Sequence, residues 1–114
     1  MKTQKISNKW LLEEFERLNE RFFDCKIHHI RLAFRPLKGK QGVWNPQERL
    51  ILINSNLIPT GVDFITITLL HEMCHAALEC NREYVGYPSD DGHGTLFQGE
   101  ICRLIKAGAY DGLL

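Results

Sequence analysis

Apolar residues recur along this chain with two different periods, and each change of period marks an element. Leu11, Phe15, Leu18 and Phe22 are spaced by four, three and four residues, with Glu13, Glu14, Glu16, Arg17, Glu20 and Arg21 between them. That is the stripe of an amphipathic helix, and Ser7 is a suitable N-cap for it. Its charges add little, because Glu13 attracts Arg17 while Glu16 repels Glu20. Ile30, Leu32 and Phe34 then alternate with Arg31, Ala33 and Arg35. Alternation predicts a half-buried strand, which Pro36 ends. Residues 37–42 form a turn-rich loop, Val43 and Trp44 open a second short strand, residues 45–48 turn, and residues 49–54 make a third strand. Together these predict an antiparallel meander of about three strands, followed by a loop over 54–61.

Residues 62–80 break the alternation. Phe64, Ile65, Ile67, Leu69, Leu70, Met73, Ala76, Ala77 and Leu78 leave almost no polar face, the pattern of a buried helix. Ile65, Thr66, Ile67 and Thr68 favour strand locally, but the length of the apolar segment outweighs that preference. Thr60-x-x-Asp63 resembles a capping box at its start. A last helix is predicted over 95–107 from Leu96, Phe97, Ile101, Leu104 and Ile105, stopping at Gly108, with Tyr110, Leu113 and Leu114 packing back on the body. Three helices and a small sheet make an α+β chain, read as one domain over 1–114.

The buried helix carries His71-Glu72-x-x-His75. Residues four apart lie one above the other on a helix, so the two imidazoles aim at one point. Imidazoles so arranged supply two of the three protein ligands of a catalytic zinc. Glu72 is turned about 100° from His71, beside the metal's open position, where a carboxylate can take a proton from water. Composition alone predicts roughly 0.02 chance occurrences of the motif, so its setting matters. Two histidines and a glutamate on a buried helix each cost desolvation unless bound to something. A structural cluster, with Glu72 hydrogen-bonded to a neighbouring histidine, is the competing reading.

A third histidine, His93, stands between Gly92 and Gly94 at the start of the last helix. It reads either as a solvated loop histidine or as the third ligand; the flanking glycines and the open ligand position favour coordination. Asp90 and Asp91 read either as acceptors orienting a ligand ring or as turn residues. On these residues the chain resembles the SprT-like metalloproteases, the family that includes Spartan. The matching pieces are Leu-Leu-His-Glu-Met-Cys-His-Ala from Leu69, Asp-Gly-His-Gly-x-x-Phe from Asp91, Asn-Glu-Arg-Phe-Phe from Asn19, and Ala-Gly-Ala-Tyr-Asp-Gly from Ala107. The resemblance implies a zincin-like fold, Zn2+ held by His71, His75 and His93, Glu72 as catalytic base, and a protein or peptide substrate, in some members a protein crosslinked to DNA.

Charge adds little to this. Fourteen basic and fourteen acidic residues cancel, so DNA is a possible partner without support from net charge. The most basic region is the sheet and its loops, with Arg31, Arg35, Lys38, Lys40 and Arg49 around Phe34 and Trp44. This reads either as a solvated face or as a site for single-stranded nucleic acid. One of the strands within 42–54 is a candidate to align a substrate by backbone pairing. For the oxyanion, Tyr84, Tyr87 and Arg82 are candidate donors. The cysteines Cys25, Cys74, Cys80 and Cys102 form no C-x-x-C pair, which argues against a zinc ribbon; Cys74, Cys80 and Cys102, on predicted helices, read as small apolar packers. No apolar signal core and no membrane-length run are present, so an intracellular, cytoplasmic protein is expected, of undetermined oligomeric state. The alternative to a zinc endopeptidase is a zinc-stabilised DNA- or protein-binding module; the intact Glu72 argues against it.

Overall fold

Helix α1 (Asn8–Phe22) forms where the first apolar stripe predicts it, and the Ser7 hydroxyl accepts from the Trp10 amide at 3.2 Å. The computed structural model describes residues 5–80 and 94–113. Trp10, Leu11, Phe15 and Leu18 are buried on the inner face of α1. Asn19 is buried with them, and its side chain holds the chain's return: its Nδ2 donates to the Ile27 carbonyl at 2.9 Å and its Oδ1 accepts from the Ile27 amide at 3.3 Å. The reversal itself is made by Asp24 and Cys25, both with left-handed φ of 51° and 58°. His28 and His29 are exposed, as polar surface at a strand start, and Arg49 donates to both of their carbonyls.

Strands β1 (Arg31–Arg35), β2 (Gly42–Asn45) and β3 (Leu50–Asn54) form one sheet. The α+β class holds, but the meander does not: the order is β1-β3-β2, with β1 parallel and β2 antiparallel to β3. The sheet is therefore mixed, where a purely antiparallel one was expected. Skipping one strand position needs only about 10 Å, within reach of the six-residue connection 36–41. That connection passes the end of β3, where Asn54 laces it down. The buried Asn54 side chain accepts from the Leu37 amide and donates to the Leu37 carbonyl at 3.0 Å and the Lys40 carbonyl at 2.8 Å. Replacing Asn54 with Ala leaves those backbone groups unpaired and is expected to cost about 2–3 kcal/mol, read as a lower urea midpoint. A variant as stable as the wild type would mean the crossing holds without it.

After β3 the chain winds a 3₁₀ segment (Ser55–Thr60) where a loop was expected, and helix α2 (Val62–Cys80) follows. The capping box does not form. The Thr60 hydroxyl donates backwards to the Leu57 carbonyl at 2.6 Å, and Gly61, at φ 102°, turns the chain into α2. Asp63 remains in the first turn, where its charge favours the helix N-terminus.

Helix α2 runs through the centre. Ile51 and Ile53, both 0% exposed, form the inner face of the sheet and join a core with Ile65, Leu69, Leu70 and Met73. Helix α1 is clamped to α2 through Glu14, which accepts from Arg17 at 2.9 Å and from the Thr66 hydroxyl at 2.8 Å. Burial pushes that carboxyl up, but the two hydrogen bonds and the Arg17 charge outweigh it and hold Glu14 below the usual range. Helix α3 (Thr95–Ala107) closes the other side with Phe97 and Leu104 buried and ends at Gly108 in the left-handed region, φ 89°. Ala109 is buried after it, and Tyr110 and Leu113 pack against the core.

Candidate metal centre

Helix geometry brings His71 and His75 together on α2. Their ring centroids lie 5.1 Å apart at an interplanar angle of 70°. Two imidazoles bound at about 2.0–2.1 Å to one tetrahedral zinc would have centroids about 5.2 Å apart, so this pair fits such a metal. Phe97, from the first turn of α3, packs against both rings. It meets His71 edge-on at 5.0 Å and stacks on His75 at 4.4 Å. The apolar stripe predicted that Phe97 is buried; its role as the wall behind the imidazoles follows only from the packing of α3 on α2.

Glu72 points another way, toward the sheet. It is 6% exposed. Gly42 of β2 sits against it so closely that a Cβ there would come within 3.2 Å of both Cγ and Oε2 of Glu72 and 3.1 Å of Thr68 Cγ2. A side chain at 42 would therefore fit only if Thr68 and Glu72 gave way by a few tenths of an ångström. Burial pushes the Glu72 carboxyl up to about 7 from an ordinary 4.5, with the Lys40 ammonium opposing.

That shift has a sign for stability. Below pH 4.5 the carboxyl is protonated in both the folded and unfolded chain. Between 4.5 and 7 the unfolded chain releases its proton while the folded one keeps it. Stability of the protein held in chelator is therefore expected to fall as pH rises through this window, by about 3 kcal/mol in all. Urea titrations across that range read the slope, and Glu72→Gln is expected to remove it. An identical slope in the variant would assign the effect to another group.

The strand β2 that carries Gly42 is an edge of the sheet among the described residues. The Asn54 amide donates to the Gln41 carbonyl at 2.8 Å, so residue 41 faces β3. Alternation then turns the backbone groups of Gly42 and Trp44 off the open edge. Trp44 shares the inward face with Gly42, and its buried indole N–H has no hydrogen-bond partner among the described residues. Beside His71 lies a largely apolar cavity of about 320 Å³ between α2 and α3, lined by Ile67, His71, Phe97, Gln98, Ile101, Ile105 and Tyr110. Burial, reinforced by nearby Cys74, pushes the Tyr110 phenol up to about 12, so it stays a neutral donor. Pattern alone placed Tyr110 only as packing; its position on this cavity comes from the turn after α3.

Burial also raises the Cys74 thiol, with Glu100 adding to the shift, which suits an apolar packer and not a thiolate nucleophile. Cys102 is an exposed free thiol, not the buried packer expected, and Cys25 is exposed as well; the side chain of Cys80 lies outside the described residues. Among the described residues no three His, Cys, Asp or Glu side chains gather as a metal site. His93 lies outside the described residues, as do Asp90, Asp91, Arg82, Tyr84 and Tyr87.

The SprT-like family model matches residues 11–109, nearly the whole chain. The chain belongs to the SprT-like family. Over 80 residues it is 32% identical to the radiation response metalloprotease IrrE of Deinococcus deserti, a match covering 70% of this chain. The chain spans only 27% of that relative's length. No solved structure matches. No helix of the SprT-like chain, among the described residues, is long and apolar enough to cross a membrane.

Proposed function

We propose that this SprT-like chain is a zinc-dependent endopeptidase with Glu72 as its general base. The observation that carries this reading is the pair of imidazoles 5.1 Å apart on α2, with the buried Glu72 of the same helix packed against Gly42 of the edge strand β2. The kinship to a protein named a metalloprotease supports it. His71, His75 and His93 would hold the zinc. Supporting His93 is Phe97, four positions later, which lies against both imidazoles and so brings the start of α3 to the site. When bound, zinc supplies Lewis acidity for water and for the scissile carbonyl.

The chain's own residues do the rest. Glu72 Oε takes a proton from the attacking water and returns it to the leaving amine. Burial makes this carboxyl a stronger proton acceptor than an ordinary glutamate, and a zinc ion bound nearby would oppose that shift. The outward amides and carbonyls of Gly42 and Trp44 pair with an extended substrate backbone. The apolar cavity beside His71 receives a substrate side chain. We place the protein inside the cell, in keeping with its free thiols, and take DNA-bound or DNA-crosslinked proteins as the substrates the family implies.

The test is digestion of a DNA-bound protein by the wild type, with the same protein free in solution as control. Cleavage is expected, lost in chelator and restored by zinc. Cleavage of both forms alike would remove the DNA preference. Zinc uptake with no cleavage of either would replace the peptidase with the binding module.

A further inference from the structure

The face of the sheet turned away from α2 carries a second site. The register sets Arg31 opposite Leu50, Ala33 opposite Leu52 and Arg35 opposite Asn54, all on the side opposite Ile51 and Ile53. A groove of about 580 Å³ runs between this face and the first turns of α1. Its floor is Leu50, Leu52 and Leu12, and Leu12 is 43% exposed, a large apolar side chain left in water. Its rim is cationic, with Lys9, Arg31 and Arg35 and no carboxylate in the lining. Glu48 reaches Arg31 only at 3.9 Å, with both side chains mostly exposed, a contact of little worth. Among the described residues neither Lys9 nor Arg35 has an ion pair.

We propose that this groove docks a protein partner through a peptide segment that combines leucine-like side chains with carboxylates. The floor takes the apolar side chains and the three cations meet the acidic ones. Two features favour peptide over nucleic acid. The lining has no aromatic ring on which bases could stack, and a leucine floor gives phosphates nothing. The groove is on the far side of the sheet from Glu72, so a partner held there leaves the catalytic face open. If that partner is also the substrate, tethering raises its effective concentration at the metal centre.

The experiment uses the full chain carrying Glu72→Gln, so that no probe is cut and the result does not depend on peptidase activity. Fluorescence anisotropy compares a labelled amphipathic peptide of leucine and glutamate with one of equal length bearing lysine in place of glutamate. The acidic peptide is expected to bind and the basic one not. Arg31→Glu combined with Arg35→Glu should weaken binding by about tenfold or more. Leu12→Ser, at an exposed position, should weaken it severalfold, with thermal melts showing that both variants fold. Equal binding of the two peptides, no binding of either, or indifference to the charge reversal overturns the proposal. So does displacement of the peptide by an oligothymidylate. A wild-type dimer in sedimentation that the charge reversal dissolves would make a second copy of the chain the occupant instead.

Discussion

Glu72→Gln is expected to lower hydrolysis by about three orders of magnitude while zinc still binds. The amide has nearly the volume of the carboxylate, so the close packing of Gly42 on residue 72 survives. What is lost is the proton acceptor. A glutamine side chain accepts a hydrogen bond from water but does not take its proton, and it has none to return to the leaving amine. The imidazole pair is braced by Phe97 and not by Glu72, so ligand geometry is undisturbed. Initial-rate assays at saturating substrate, alongside zinc stoichiometry on the same sample, check both halves. Turnover within tenfold of the wild type would remove Glu72 from the mechanism. Loss of zinc together with activity would instead make it part of the ligand set.

The helices were readable because each rests on local information. The Ser7 cap, the four-three-four stripe of α1 and the Gly108 stop of α3 are contained within a few residues of the ends they mark. Helix α2 was readable against its own β-branched residues because nineteen positions of mostly apolar sequence are too long for one strand. Even so, Phe64 is 46% exposed, because the pattern reports which side chains could be buried and not where neighbours lie. Sheet order was not readable for the same reason. Alternation tells which residues share a face, but the place of β3 between β1 and β2 depends on Asn54 gripping a loop fourteen to seventeen residues away. Thr60 had the sequence of a cap, and its hydroxyl went to the nearer carbonyl of Leu57.

The site divides along the same line. The imidazole pair follows from a spacing of four on a helix. Gly42 belongs to it only because β2 crosses α2 at Glu72, thirty residues on, a contact no local pattern encodes. The two-residue step that brings Trp44 to the same face was visible; that its N–H has no partner among the described residues was not.

Removing any one of the three proposed ligands is expected to abolish stabilisation by zinc. In the wild type, zinc at about a thousand times its dissociation constant should add about 4 kcal/mol to folding, seen as a rise in melting temperature that chelator reverses. His71→Ala and His75→Ala each leave two donors where three are needed to close around the ion. His93→Ala is expected to do the same, and this is the sharper measurement, because the helical spacing on α2 supplies only the other two of the proposed ligands. Phe97→Ala separates ligation from orientation. It keeps every donor but removes the wall on which the His75 ring is stacked at 4.4 Å. Freed to rotate, the rings must be ordered by the metal itself, and affinity is expected to drop about tenfold, within the range for groups that orient ligands. The four variants thus order as three equal losses and one partial loss. A zinc response in His93→Ala as large as in the wild type would mean that another side chain completes the centre, while the pair on α2 would stand.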